Sequence, residues 1–324
     1  MIYTNNALNV MAARTFKGIG RAWLAKNLAT AKPVNEVVDL LNKSIKNQEP
    51  VTLEVFERKK ALLQHLLEKN SAYMDGVTAI GDRDFPPYRG TVKPSEQPAF
   101  IFYRGDLSLL AAGSNNIAVI GLLEPDVETE KFERTLIAEL VARGVVIVSG
   151  LAFGCDSIAH RQTLESGGKT VAILPSPLSN IMPSTNRDLA SEIVESGGLL
   201  LTEYLTEPKA KMEMTGRYQE RDRLQALFSN AVVLSASYAK NDLGNDSGSR
   251  LAMGYAQDYG LTRAVLYDPE TNANNPKYDL NRQIMGEQPP AIIIDAESLE
   301  VGVSQLMSLQ TRTEVAVPQQ ISMI

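Results

Sequence analysis

Three times between residues 117 and 202 a stretch of helical period ends at a glycine, Gly144, Gly167 or Gly197, and an apolar run begins almost at once, at 145–149, 170–174 and 199–202. A glycine just past a helix suits a left-handed C-terminal cap. An apolar run without polar alternation reads as a strand covered on both faces, the condition of a parallel sheet. A fourth run at 117–120 and helices expected near 127–143, 156–166 and 186–196 complete a β-α alternation. It continues with a helix near 218–229, a strand at 231–236, a helix near 248–259 and strands near 264–267 and 291–294. In the first helix Phe132, Leu136, Ile137, Leu140 and Val141 form one apolar stripe. Such alternation specifies an α/β fold with a doubly wound, mostly parallel sheet.

Within this pattern the run at 145–160, VVIVSGLAFGCDSIAH, carries the first functional signal. Ligands of parallel sheets collect at the carboxyl ends of the strands. Gly150 and Gly154 let backbone come close to a ligand there, and the first turn of the next helix presents amides without partners. An anion, most simply a phosphate, suits that turn. The dinucleotide fingerprint is excluded because only Gly150 and Gly154 are present, three residues apart. A Walker loop ending at Gly168-Lys169-Thr170 is excluded as well, since Thr163 stands where glycine is required and Lys169 opens a strand rather than a helix. Asp156 is expected to be the N-cap of the helix. His160 falls in its early turns, where it either packs in the core or shapes the pocket, and Cys155 reads as buried filler beside the turn.

The single cysteine has no partner for a disulfide and no Cys or His neighbours at zinc spacing, so neither metal nor staple is expected. No segment approaches the roughly 18–20 uninterrupted apolar residues of a membrane span. MIYTNNALNV also lacks the basic-then-apolar order of a secretory signal. These features give the expectation of a cytoplasmic protein. A net charge of −6 argues against coating duplex DNA through a broad basic face, while leaving room for a narrow basic pocket. Arg217, Arg221 and Arg223 form the one local cluster of note. Arg221 and Arg223, two apart, cannot share a helix face, so one is expected to bind and the other to pair internally.

Residues 1–75 have apolar positions at helical spacing, such as Leu62, Leu63, Leu66 and Leu67, and read as a small helical module. Inside it, Phe16-Lys17-Gly18-Ile19-Gly20 before Trp23, Leu24 and Leu28 is similar to the hairpin of helix-hairpin-helix modules, or is a plain turn between packed helices. Prolines at 86, 87, 94 and 98 preclude a long helix across 76–114, which reads as a structured linker with a short strand near 99–103. Residues 76–295 form the sheet domain, and 296–324 a helix followed by a loose tail.

With these elements placed, the chain resembles the DNA-processing protein A family, also called Smf or DprA. The residues that carry the resemblance run in family order. Ser149-Gly150-Leu151-Ala152-Phe153-Gly154-Cys155-Asp156-Ser157-Ile158-Ala159-His160 is similar to S-G-x-A-x-G-x-D-x-x-A-H, and Gly167 to Leu174 follows at family distance. Arg221-Asp222-Arg223-Leu224 ahead of Leu227-Phe228-Ser229 resembles R-N-R-x-x-x-x-L-S, and Ser247-Gly248-Ser249 resembles S-G-[ST]. There are departures. Gly121-Leu122-Leu123-Glu124 replaces G-[ST]-R, Asp222 replaces asparagine, and a Pro-Gly is missing after Tyr267. The end of the chain is too short for the winged-helix domain some relatives carry.

The resemblance implies an extended Rossmann-like core behind a sterile-alpha-motif-like helical module, with binding of single-stranded DNA in the context of natural transformation and DNA recombination. It further implies delivery of RecA or a viral counterpart onto the strand, dimerisation through the Rossmann domain, and neither chemistry nor cofactor. The residues expected at the nucleic acid are Gly150, Gly154, Lys169, Arg187, Arg221, Arg223, Ser247, Gly248 and Arg250, with Asp156 and His160 shaping the pocket. Arginine suits the task because its planar fork grips phosphate in two places and stacks on bases. Two other readings share the fold. One is a nucleotide-sensing module of the Smf/LOG type, favoured by the acidic balance. The other is a LOG-like nucleoside-monophosphate phosphoribohydrolase, for which the glutamate of P-G-G-x-G-T-x-x-E is missing from the stretch at 246–253.

Overall fold

The computed structural model describes residues 2–45, 49–240 and 248–314, with side chains to 308. Four helices come first: α1 Asn5–Arg14, α2 Arg21–Asn27, α3 Val34–Ser44 and α4 Leu53–Lys69. Two strands follow, β1 Gly76–Ala79 and β2 Phe100–Gly105. Then β3 Asn116–Ile120, α5 Val127–Ala142, β4 Val146–Ser149, α6 Cys155–Glu165, β5 Thr170–Ile173, α7 Arg187–Glu195 and β6 Leu199–Thr202 realise the expected alternation within a residue or two at each end. The second half contains α8 Lys211–Leu227, β7 Ala231–Leu234, α9 Gly248–Asp258, β8 Thr262–Leu266, α10 Pro269–Asn272, α11 Asp279–Met285, β9 Ile292–Ile294 and α12 Leu299–Glu314.

All nine strands form one sheet in the order β1-β2-β6-β5-β4-β3-β7-β8-β9, antiparallel only at β1-β2 and β2-β6. The segment before residue 116 is therefore more than a linker: β1 and β2 extend the parallel sheet at one edge. Proline, which cannot complete a ladder, stays outside both strands.

The apolar runs are continuous because each strand is covered twice. Ala118, Ile120, Val146, Val148, Val171, Ile173, Val232 and Leu234 pack with Leu224, Leu227, Ala252 and Ala256 of α8 and α9. The alternate residues Ile117, Val119, Ile147, Ala231 and Val233 pack with Leu136, Ile137 and Leu140 of α5 and Val303 and Leu306 of α12. The helical module does not have a core to itself. Leu8, Met11, Leu24, Leu41 and Phe56 share one apolar cluster with Val77, Phe102, Ala172, Leu200 and Ile193.

Helix α8 begins at Lys211, seven residues before the expected start. Its leading turns, KMEMTG, have little apolar content, and its first buried side chain is Arg217. The tail expected after α12 lies outside the described residues from 315 onward.

Candidate functional site

Strands β4, β5 and β6 are laid down on one side of β3, and β7, β8 and β9 on the other. A doubly wound sheet opens where its winding reverses, outside the carboxyl ends of its strands. There the loops after β3 and β4, with α8 and the start of α9, enclose a crevice of about 470 Å³. Gly121, Leu123, Gly150, Ala152, Phe153 and Asp156 reach it from the loops and α6, Met182 and Pro183 from the segment after β5. Tyr218, Arg221, Asp222 and Gln225 line it from α8, and Gly248 and Ser249 from α9.

The loop from Gly150 to Gly154 is held in a shape that few residues adopt. Leu151 is fully buried with φ of 58°, and Asn186 Nδ2 secures it by donating to the carbonyls of Leu151 at 2.9 Å and Ala152 at 3.3 Å. Gly154 has φ of 65°, and a Cβ there would stand 2.3 Å from the Leu122 carbonyl oxygen. Gly150 leaves room for Arg221, whose Nη1 lies 1.1 Å from where a Cβ would be.

Asp156 corrects one expectation. The N-cap of α6 is Gly154, without a side-chain cap, and Asp156 is the second helical residue. Its Oδ2 accepts from the Ala152 amide and from Arg221 Nη1, both at 3.2 Å, closing the loop instead of capping the helix. Among the described residues the amides of Phe153, Gly154, Asp156 and Ser157 donate to no protein group, so the end of α6 keeps its capacity for an anion.

The two arginines divide as helical geometry requires. Arg221 faces the crevice, with Nε 3.1 Å from Asp222 Oδ1 and Nη2 donating to no protein group among the described residues. Arg223 does not reach the crevice: buried, it pairs with Glu203 and with Glu220 at 2.8 Å, and donates to the Glu96 carbonyl at 2.6 Å. Burial, reinforced by Asp156, pushes the Asp222 carboxyl up to about 7 against the pull of Arg221. The crevice thus has two carboxyl groups and one guanidinium on its walls, less positive charge than the sequence promised.

The remaining candidates scatter. Lys169 precedes β5 and so lies at the amino end of the parallel strands, opposite the crevice, donating to the Ser196 carbonyl. Arg187 opens α7 at the correct end of the sheet but is exposed and donates to Asn180 Oδ1 at 3.1 Å. Gly248 lines the crevice, Arg250 is half-buried in the first turn of α9, and Ser247 lies outside the described residues. Cys155 is the expected buried filler: its Sγ sits against Gly121, and burial raises the thiol well above its usual range. Phe153, Tyr218 and Gln225 were missed. The last two share a helix face with Arg221 and Asp222, since 218, 221, 222 and 225 repeat at helical spacing within the helix expected at 218–229.

His160 is a core group, not part of the crevice lining. It is fully buried with Nδ1 2.7 Å from Thr170 Oγ1, and burial lowers it to about 4. An unfolded histidine titrates near about 6.5, so protons bind preferentially to the unfolded chain between those values. Stability from this group is complete above that upper value and is lost as pH falls toward 4. In urea titrations at pH 7 and pH 4.5, His160→Gln should reduce the acid-induced loss of stability by about 2–3 kcal/mol. An unchanged difference would show that another group carries the effect.

A doubly wound, mostly parallel sheet with a crevice at its switch point defines the chain as a Rossmann-like protein. It belongs to the DNA recombination-mediator protein A family, whose model matches residues 76–297. Protein Smf of Escherichia coli is 30% identical over 228 residues, 69% of this chain and 57% of that protein. Protein Smf of Synechocystis is 27% identical over 249 residues, 76% of this chain and again 57% of the relative, so the chain spans little more than half the length of these relatives. Among solved structures, DNA processing protein A of Streptococcus pneumoniae superposes with a TM-score of 0.67 at 21% identity over 93% of this chain and 98% of its own, a likeness of fold. DNA processing protein A of Helicobacter pylori, solved for its single-stranded DNA binding mode, gives 0.53 at 26% identity over 70% of this chain and 99% of its own. Among the described residues no helix is long and apolar enough to cross a membrane.

Proposed function

We propose that the chain binds single-stranded DNA across the crevice at the carboxyl ends of β3 and β4, and that it acts without chemistry as a recombination mediator, placing RecA or a viral counterpart on the strand as a homodimer. Membership of the recombination-mediator family supports this reading, as does the single-strand binding named for the Helicobacter pylori protein. The observation that carries it is the unpartnered amide of Phe153, a residue that lines the same crevice as Arg221, followed by the unpartnered amide of Gly154 at the head of α6. Together they offer a phosphate a helix end and half of a guanidinium fork. Gly150, Arg221 and Gly248 make the proposed floor, with Gly154 at the head of α6 and Arg187 and Arg250 at the same end of the sheet.

The test is fluorescence polarisation with a labelled dT oligonucleotide and a duplex of equal length, each at low and moderate salt. Single strands should be preferred. Two or three phosphate contacts give a shallow salt slope, about −1.4 to −2.1 at roughly 0.7 per phosphate. Arg221→Lys, which keeps the charge but loses the fork, should weaken binding about tenfold. Equal affinity for duplex, or none for either, would overturn the reading.

The carboxyls of Asp156 and Asp222 favour a second reading, a sensor for a free nucleotide, which needs fewer positive contacts than a polymer. Thermal stabilisation by mononucleotides without oligonucleotide binding would select it.

A further inference from the structure

The wall that α8 turns to the crevice carries hydrogen-bonding capacity the protein does not use. Gln225 is 2% exposed, and its Nε2 meets no acceptor among the described residues. A buried donor left in that state is costly and calls for a partner. Asp222, three residues earlier and 3% exposed, has Oδ1 against Arg221, while Oδ2 is turned toward Gly248 and accepts no hydrogen bond among the described residues. Exposed ring surface stands at the same crevice: Phe153 is 50% exposed and Tyr218 37%.

Asp222 and Gln225 do not suit a phosphate, because the Asp222 carboxyl repels it and no cation of α8 besides Arg221 lines the crevice among the described residues. A nucleobase fits better, because it has flat faces for aromatic rings and an edge that both donates and accepts. A crevice of about 470 Å³ also lies in the size range of small-ligand sites.

We propose that the α8 wall takes one unpaired nucleobase, stacked on Phe153 and Tyr218 and read at its edge by Asp222 and Gln225, and that guanine is the base it favours. The proposal rests on the crevice being a nucleotide site and deepens that reading: the phosphate stays at the start of α6 while the base turns toward α8. Guanine places two neighbouring N–H donors beside a carbonyl, so one carboxylate accepts both donors and the Gln225 amide donates to the oxygen. Adenine and cytosine set a ring-nitrogen acceptor beside their single amino group, and thymine flanks its one N–H with two carbonyls, each of which meets the carboxylate unfavourably. The preference belongs to this chain in particular, because Asp222 stands where the motif it resembles has asparagine, whose amide offers one acceptor only.

The experiment compares fluorescein-labelled 12-mers, all dT or dT with one central dG, by polarisation at pH 8, above the range in which the Asp222 carboxyl titrates. GMP and TMP are compared in parallel by thermal shift. The single dG should tighten binding about tenfold, the order of one bidentate base contact. GMP should stabilise the fold more than TMP. In Asp222→Asn the ratio between the two 12-mers should fall to near one. Equal affinities of the wild type for both 12-mers with equal shifts by GMP and TMP would overturn the proposal, and so would a dG preference that survives in Asp222→Asn. If neither 12-mer binds, the single-strand reading fails by itself, and the GMP to TMP comparison still decides the base preference.

Discussion

Arg223→Ala should cost about 3–5 kcal/mol of stability, the range for removing one partner of a buried ion pair, and should leave oligonucleotide affinity as it was. The guanidinium is 2% exposed and meets the Glu203 carboxylate, Glu220 Oε2 at 2.8 Å and the Glu96 carbonyl at 2.6 Å. Glu203 is itself 11% exposed, so without Arg223 its charge stays in a poorly hydrated place with Arg21 Nη1, 3.6 Å away, as its remaining cation. Arg21 belongs to the helical module and bonds Glu220 at 2.6 Å, so the network fastens α2 to α8 and to the loop after β6. A control separates the cost of a stranded charge from the worth of the pair. Arg223→Met together with Glu203→Leu removes both ions, keeps volume, and should be less damaging than Arg223→Ala alone. Urea unfolding of the two variants decides it. A loss below about 1 kcal/mol for Arg223→Ala, the level of a surface pair, would deny the network its role. A loss of single-strand binding with stability intact would return Arg223 to the binding surface.

Arg223 shows what a sequence of this kind reveals and what it hides. Helical spacing correctly placed Arg221 and Arg223 on different faces, because a two-residue offset is a property of the helix alone. Which face meets the crevice depends on Glu203 and Glu96, distant in sequence and brought to Arg223 by the fold. Lys169 failed for a related reason. It stands beside a strand in sequence, but in a parallel sheet the two ends of a strand are far apart, and only residues after a strand reach the crevice. Gly150 and Gly154 were legible because the local turn itself demands them. Phe153 and Gln225 were not, since an exposed aromatic and a buried amide acquire meaning only from the cavity they face. The alternation of strands and helices is readable from Ile117 onward through its apolar runs, but the order of the strands across the sheet is not. Strand β2 is legible as the short apolar run near 99–103, whereas β1, four residues at the sheet edge, carries no comparable signal, and the joining of this pair to β6 through β2 depends on contacts distant in sequence.

Gly154→Ala should lower stability by about 3 kcal/mol or more and abolish single-strand binding, with strain at a position suited to glycine adding to a collision with backbone. Gly154 has φ of 65° and ψ of −126°, and a methyl there would meet the carbonyl oxygens of Leu122 and Leu123 at 2.3 and 2.4 Å. Neither carbonyl yields easily, since the Leu122 oxygen already accepts from the Cys155 amide at 2.9 Å and so ties the loop after β3 to the start of α6. Relieving the clash displaces the amides of Phe153 and Gly154 at the head of α6, so fold and binding should fail together. Gly150→Ala should fail differently. There the collision at 1.1 Å is with Arg221 Nη1, the end of a side chain that can swing aside at the expense of its bond to Asp156. Its unfolding cost should therefore be clearly smaller, while affinity for dT drops at least as far as in Arg221→Lys. Paired urea and polarisation measurements on the two variants test the anion cradle directly. If Gly154→Ala unfolds like the wild type and still binds dT, the amides at the head of α6 are not what holds the strand.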